Sequence, residues 1–269
     1  MPADAIRPMR DDDLPLCAGM TAAVGWPHRA EDWRFAFDLG FGFMAQAAAG
    51  PLGTAMGWRF GAGDAALGMI IIAPSAQGRG LGRLLTGRVM EALEGRRIHL
   101  HATKAGLPLY EKLGFRATGL VRQFHGVVAP GAMMPVPGLR AATTADLDLL
   151  AAMDGPVDRR AALAALLTVG SVVVLEGAGY AGLRRFGRGQ LIGPVVARDG
   201  ATAQQLIGHL AAEQAGGFLR VDIDDAAGLG PWLAGMGLAD AGPAVPMLRG
   251  TPVEPGPMHR FALINQALG

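Results

Sequence analysis

The sequence predicts a mixed α/β (α+β) protein made of two tandem halves, each a largely antiparallel mixed sheet flanked by helices. Three observations carry that reading. The run Leu67-Gly68-Met69-Ile70-Ile71-Ile72 is continuously apolar, as a strand covered on both faces requires, and a Gly-rich loop and an amphipathic stretch follow it. The segment Val128 to Gly138, VAPGAMMPVPG, falls near the middle; its prolines restrict their own φ and the residues before them, so it reads as an extended linker. Finally, a shift of 123 residues lays Leu67–Ile72 on Gln190–Val195, Leu84-Leu85 on Ile207-Gly208 and Leu113-Gly114-Phe115 on Met236-Gly237-Leu238. One offset across three elements argues for an internal repeat, with halves at residues 1–130 and 131–269.

Composition narrows the class. With 41 glycines and 51% hydrophobic residues, the chain can build substantial cores but is too Gly-rich for a helical bundle. A net charge of +1 leaves no nucleic-acid footprint, the nearest basic cluster being Arg184, Arg185 and Arg188. A single cysteine, Cys17, excludes an internal disulfide and fits a reducing, cytoplasmic compartment. Met1 to Asp13 has no secretory pattern, and the apolar stretches Ala66 to Ala73 and Val172 to Leu175 are too short to span a bilayer, so no membrane partner is expected.

In the first half, Asp12 or Asp13 is placed to cap a helix over Leu14 to Ala23, and a second helix is expected from Ala30 to Leu39 with Trp33 turned to the core. Strands are expected at Phe41 to Ala47 and Thr54 to Phe60, separated by a turn at Gly50-Pro51-Leu52-Gly53, and then at Ala66 to Ala73. A helix from Leu81 to Leu93 would bury Leu81, Leu84, Leu85, Val89 and Leu93; Arg97 to His101 follows as a strand, Leu107 to Leu113 as a helix and Arg122 to Val128 as a strand. The second half should carry a helix at Ala161 to Leu167, strands at Ser171 to Glu176, Ala178 to Arg185 and Gln190 to Val196, a helix from Ala201 to Gln214, a strand from Phe218 to Ile223, a helix near Gly228 to Met236, and a closing strand within Met258 to Asn265.

The chemistry concentrates in the loop after the apolar strand, Gln77-Gly78-Arg79-Gly80-Leu81-Gly82. Glycine allows backbone conformations and close approach that a Cβ forbids, and amides at a helix start can donate to a pyrophosphate with help from the helix dipole. Arg79 and Arg83 would add charge at the rim. The loop is not a P-loop, because Gly82 is followed by Arg83, and its alternating glycines do not match the dinucleotide fingerprint. An NAD-linked enzyme therefore ranks well behind.

About twenty residues on come Ile98-His99-Leu100-His101-Ala102-Thr103 and Gly106-Leu107-Pro108-Leu109-Tyr110-Glu111-Lys112-Leu113-Gly114-Phe115. Together with Gln77, Gly80 and Gly82, these strings resemble the GNAT family, the Gcn5-related N-acetyltransferases; LIGPVVARD and WLAGMGL extend the resemblance to tandem members with an active-type domain followed by a divergent one. The resemblance implies a splayed central pair of parallel strands in each domain. It also implies acetyl-CoA as acyl donor, held by Ile71, Ile72, Gln77, Gly78, Arg79, Gly80, Leu81, Gly82, Arg83, Thr103 and Tyr110, and a primary amine, most simply of a small molecule, as acceptor. Main chain near Ile71 or Ile72 would polarise the thioester carbonyl, and Tyr110 would protonate the departing sulfur.

The base is open, because Leu67 to Ala73 contains no acid where many family members place a glutamate. His101 leads, His28 follows, and solvent remains the third acceptor for the proton; His99 shares the strand face of His101. Trp26, Glu31 and Asp32 are the expected acceptor contacts. No metal is expected, and Asp222, Asp224 and Asp225 read as a solvated strand end. At the 123-residue offset Gly78, Gly80 and Gly82 become Ala201, Ala203 and Gln205, so the second half should be non-catalytic. An exposed apolar strand or helix could also support a homodimer. The missing strand acid keeps one alternative alive, an acyl-CoA-binding regulatory or interaction protein with little transfer activity.

Overall fold

A computed structural model describes residues 5–48, 50–130 and 135–269. The first half runs β1 (Ala5–Pro8), α1 (Leu14–Ala23), α2 (Ala30–Asp38), β2 (Phe41–Ala47), β3 (Gly50–Phe60), β4 (Asp64–Ile72), α3 (Leu81–Ala92), β5 (Arg97–Ala102), α4 (Leu107–Lys112), β6 (Arg116–Ala117) and β7 (Val121–Val127). The second runs β8 (Leu139–Ala141), α5 (Leu147–Asp154), α6 (Arg160–Val169), β9 (Ser171–Leu175), β10 (Gly179–Phe186), β11 (Gly189–Ala197), α7 (Gly200–Ala212), β12 (Phe218–Asp224), α8 (Gly230–Gly235), β13 (Ala239–Arg249) and β14 (His259–Ala262). The expected linker overlaps residues 131–134, which lie outside the described set.

The described strands form one sheet in the order β1-β2-β3-β4-β5-β13-β7-β12-β14-β11-β10-β9-β8, with β6 paired to β13 off this path. The two halves exchange strands across its middle. β13 of the second half pairs with β5 of the first, and β7 of the first half pairs along its whole length with β12 of the second. Each half therefore completes its sheet with a strand from the other. The cores follow this plan: α3 and α4 cover one face of the first sheet with Leu67, Leu85, Val89 and Leu100, α1 and α2 cover the other with Trp33, Met44 and Trp58, and α7/α8 and α5/α6 repeat the arrangement on the second.

Several local expectations change. The residues Gly50 to Gly53 belong to β3 rather than to a turn, because the β2–β3 register shifts by one residue at Ala45/Gln46 and that bulge accommodates Pro51 inside the ladder. Asp13 does not cap α1; its carboxylate accepts from the Arg10 amide at 2.8 Å and grips Arg7 through two nitrogens at 2.7 Å. Along α3 and its C-cap the buried apolar row is Leu81, Leu85, Val89 and Leu93, with Thr86 buried beside it, while Leu84 is 55% exposed and falls outside the packed face.

The repeat is real, but its spacing is not constant. Starts of equivalent elements lie 125 residues apart for β4 and β11, 119 for α3 and α7, 121 for β5 and β12, and 123 for α4 and α8. The largest change falls at the loop. Eight residues (73–80) join β4 to α3, whereas only residues 198 and 199 join β11 to α7. The second half has thus lost the Gly-rich loop by shortening, not by residue-for-residue substitution.

Candidate active site

β4 and β5 run parallel and pair at Asp64↔Arg97, Ala65↔Ile98 and Ala66↔His99, and nowhere beyond. The divergence has a local cause. Opposite β3 the register of β4 slips between Thr54 and Met56, and Met69 adopts φ +50°, a conformation unusual for a side-chain-bearing residue, so the strand bends away from its neighbour. The expected splay is present, and past Ala66 the β5-facing edge of β4 has no strand partner among the described residues.

The loop opens onto one face of this splay. Gly78 and Gly80 take φ of +76° and +79°, and a Cβ on either would meet nothing within 4 Å, so glycine is required there by backbone conformation and the space above the loop is open. Residues Gln77 to Gly80 and Arg83 are exposed, and Leu81 anchors the helix start in the core. No side chain caps the N-terminus of α3. Gln77 turns back to donate to the Ile72 carbonyl at 3.3 Å, tying the loop to the end of β4. Tyr110 packs on the same face against Phe115, and burial pushes its phenol up to about 12, so it is protonated throughout the neutral range.

The opposite face carries the histidines. On β5, Ile98, Leu100 and Ala102 turn toward α3, which leaves His99 and His101 on the other side. His99 faces Asp64 (3.4 Å), whose carboxylate is held bidentately by Arg97, so His99 is spent in a structural ion network. His101 differs. Its Nδ1 lies 2.9 Å from the carbonyl of Gln266, and since a carbonyl only accepts, Nδ1 bears the proton and Nε2 keeps a lone pair. Burial lowers the His101 pKa to about 4, so the ring is neutral at neutral pH.

His101 lines a cavity of about 190 Å³ together with Trp26, His28, Met69, Thr103 and Arg220. The His28 ring meets Phe186 edge-on at 5.0 Å, its Nδ1 is buried without a partner, and burial followed by the field of Arg220 lowers its pKa to about 4. Of the residues expected at the acceptor side, Trp26, His28 and His101 are brought together here, while Glu31 and Asp32 are not; Thr103, expected as a cofactor contact, lines the same cavity. Asp32 instead clamps the two halves: its carboxylate accepts from the Arg29 and Gly187 amides and pairs with Arg29 and with Arg184, which stacks on Phe35. Arg184 is 3% exposed, which removes it from any basic surface patch.

The second half contributes to this cavity from two directions. Asp222 is not a solvated strand end: it is fully buried, receives Nε and Nη2 of Arg220 and accepts from Gln266 Nε2 at 3.2 Å. Residues 263–268 then cross from the second half into the first. Ile264 and Leu268 are buried in the core of α1 and α2, the Asn265 carboxamide accepts from the amides of Ala267 and Leu268, and Ala267 packs against Gly68. Gln266, Arg220 and Gln123, all of which line the cavity, were missed in the sequence because nothing local marks residues that meet only after the halves exchange strands. Among the described residues, no group of three or more His, Cys, Asp or Glu side chains could hold a metal ion, and no helix is long and apolar enough to cross a membrane.

Comparison with known proteins defines the class. Two family models, each described as an acetyltransferase (GNAT) domain, match residues 42–130 and 149–261. The uncharacterized N-acetyltransferase YitH of Bacillus subtilis (strain 168) is 30% identical over 284 residues, which cover 95% of this chain and 94% of that protein. The chain belongs to the GNAT acetyltransferase family, in a tandem arrangement of two such domains. Among solved structures, a putative acetyltransferase from Pyrococcus horikoshii matches with a TM-score of 0.83 at 19% identity, covering 100% of this chain and 97% of that one. A GCN5-related N-acetyltransferase from Sphaerobacter thermophilus matches at a TM-score of 0.62 and 15% identity, covering 94% and 96%. Both share the fold.

Proposed function

We propose that the chain transfers the acetyl group of acetyl-CoA to the primary amine of a small molecule in the cytoplasm, with residues 1–130 as the catalytic unit and residues 131–269 as a non-catalytic half that closes the acceptor pocket. The observation that carries this reading is the placement of an uncapped, Gly-rich helix start on one face of the splay and a neutral His101 on the other.

The loop fits the donor. Open space above Gly78 and Gly80 admits a pyrophosphate close to main-chain amides, and Arg79 and Arg83 lie beside it. When bound, acetyl-CoA supplies an activated thioester. The chain's own residues would do the rest. The unpaired edge of β4 near Ile71 and Ile72 offers amides that stabilise negative charge on the acyl oxygen. His101 Nε2 accepts the proton of the attacking amine, with the tautomer fixed by Gln266, and the Tyr110 hydroxyl donates one to the leaving sulfur. Trp26, His28 and Thr103 wall the acceptor. A cavity of about 190 Å³ favours a small acceptor, since drug-sized ligands occupy roughly 300–1,000 Å³.

The test is acetyl-CoA-dependent thiol release against a chemically diverse amine and peptide library, with products identified by mass. His101→Gln is expected to lower kcat by roughly 10²–10⁴ while acetyl-CoA affinity holds, the range typical of a lost general base. Tight acetyl-CoA binding without any acetylated product would instead support an acyl-CoA-binding regulatory protein.

A further inference from the structure

The acceptor cavity has a neighbour. It shares the wall residues Gly25, Pro27, Gln123, Phe186 and Arg220 with a second cavity of about 100 Å³ that Arg188 and His125 also line. Two arginines, Arg220 in both and Arg188 in the second, line these adjoining cavities, and among the described residues that line them there is no aspartate or glutamate. A pocket made for a second ammonium or a polyamine would carry carboxylates, because a cation taken from water needs a counter-charge. This one carries the opposite sign.

Arg220 has the geometry of a prepared anion fork. Asp222 occupies its Nε–Nη2 side, with Nε at 3.1 Å from both oxygens and Nη2 at 2.8 Å from one. That leaves the Nη1–Nη2 end of the guanidinium, whose two parallel N–H bonds match a carboxylate. The fork is held rigidly. Its Cζ lies 5.1 Å from the centre of the Phe186 ring, Asp222 accepts in turn from Gln266, and the residue is only 8% exposed. Arg188, over Phe218 at 5.9 Å, adds positive field at the far end. Burial chiefly disfavours protonation of both neighbouring histidines, His28 and His125; Arg220 adds to this and Asp222 opposes it.

We infer that the acceptor is a small amine bearing a carboxylate, bound with its amine toward His101 and its carboxylate on the free end of Arg220. This rests on the proposed transferase reading and deepens it: the second half supplies the group that selects the substrate. The amine must lose its proton to react, so it leaves no cation to be balanced, and the anion at the other end is what the site recognises.

Binding to the full-length chain in the presence of CoA, measured by isothermal titration calorimetry, tests this without requiring turnover. The probes are small amino acids, each with its carboxamide and its decarboxylated amine. The wild type is expected to prefer the carboxylate by roughly 30-fold or more, as a bidentate charged pair in a desolvated site allows. Arg220→Gln should bring the preference within about 3-fold, and Arg220→Lys, which keeps the charge but not the fork, should fall between. Equal binding of the three probe classes by the wild type, or no binding of any, overturns the inference, and the wild-type comparison decides it even if Arg220→Gln does not fold. Acetyl transfer is measured on the same probes. Carboxylate-selective binding without transfer would sink the transferase reading alone, whereas transfer without carboxylate preference would sink only the assignment of Arg220.

Discussion

The two halves splay the same pair of parallel strands and then treat the gap in opposite ways. In the first, β4 and β5 part after Ala66 and the gap stays open, with an eight-residue loop and an uncapped helix start beside it. In the second, β11 and β12 pair at Gln190↔Leu219 through Ile192↔Val221 and then part, but β14 enters the gap and pairs with both. A side chain at Gly193 would run into the Leu263 carbonyl, so the inserted segment fits only because that position is glycine. The helix start is also closed: Asp199 accepts from the Thr202 amide at 2.7 Å, placing the chain's own carboxylate where an anion would bind. The difference teaches that the second half lacks the open cleft and free helix start seen in the first, and that the segment filling its cleft continues as a wall of the other.

The strongest way to break this comparison is through that segment. Ile264 is fully buried in the first half's core immediately after β14. Ile264→Ala should cost about 2–5 kcal/mol in urea unfolding, the range for a large-to-small change in a tight core. By loosening Gln266 it should also lower acetyl transfer more than acetyl-CoA affinity. A variant that unfolds like the wild type would mean that residues 263–268 merely lie against the first half.

The second way is to alter each helix start. Gly80→Val forces a β-branched residue to φ +79° and should weaken acetyl-CoA binding by about 100-fold through the strained loop, read by calorimetry. Asp199→Ala should leave that affinity unchanged and cost about 1 kcal/mol of stability as a lost cap. Matching losses of affinity in the two variants would show that the second half does bind the cofactor.

How much of this was legible follows the same division. The first-half site lies in contiguous runs, so the loop Gln77 to Gly82, the helix after it and the strand of His101 could be read directly from apolar periodicity and glycine spacing. β13 could not. Its sequence carries Gly242, Pro243 and Pro246, and its register breaks between Asp240 and Pro243, so nothing local announces a strand that joins the halves. A fixed offset likewise hid the shortened loop at Arg198-Asp199, because an unaligned comparison reads a deletion as a set of substitutions. Arg220 and Asp222 looked like ordinary charges on a strand and became a buried pair only through the exchange that sets β12 beside β7.

A further effect concerns pH, and it sharpens what the second half does for the first. His28 and His101 are both held near pKa 4, against an ordinary value of 6.5, chiefly by burial at the junction of the halves. A group whose folded pKa is lowered in this way binds its proton more readily when unfolded. Between pH 6.5 and about 4 the unfolded chain therefore carries more protons than the folded one, and stability falls as pH falls through that window, by at most about 1.4 kcal/mol per pH unit for each histidine. Above pH 6.5 the contribution is complete. His101→Gln should flatten part of this slope in unfolding experiments across pH 4–7, because an amide does not titrate there. If the slope is unchanged, His101 is solvated in the folded chain, and the neutral lone pair assigned to its Nε2 would not be protected by the second half.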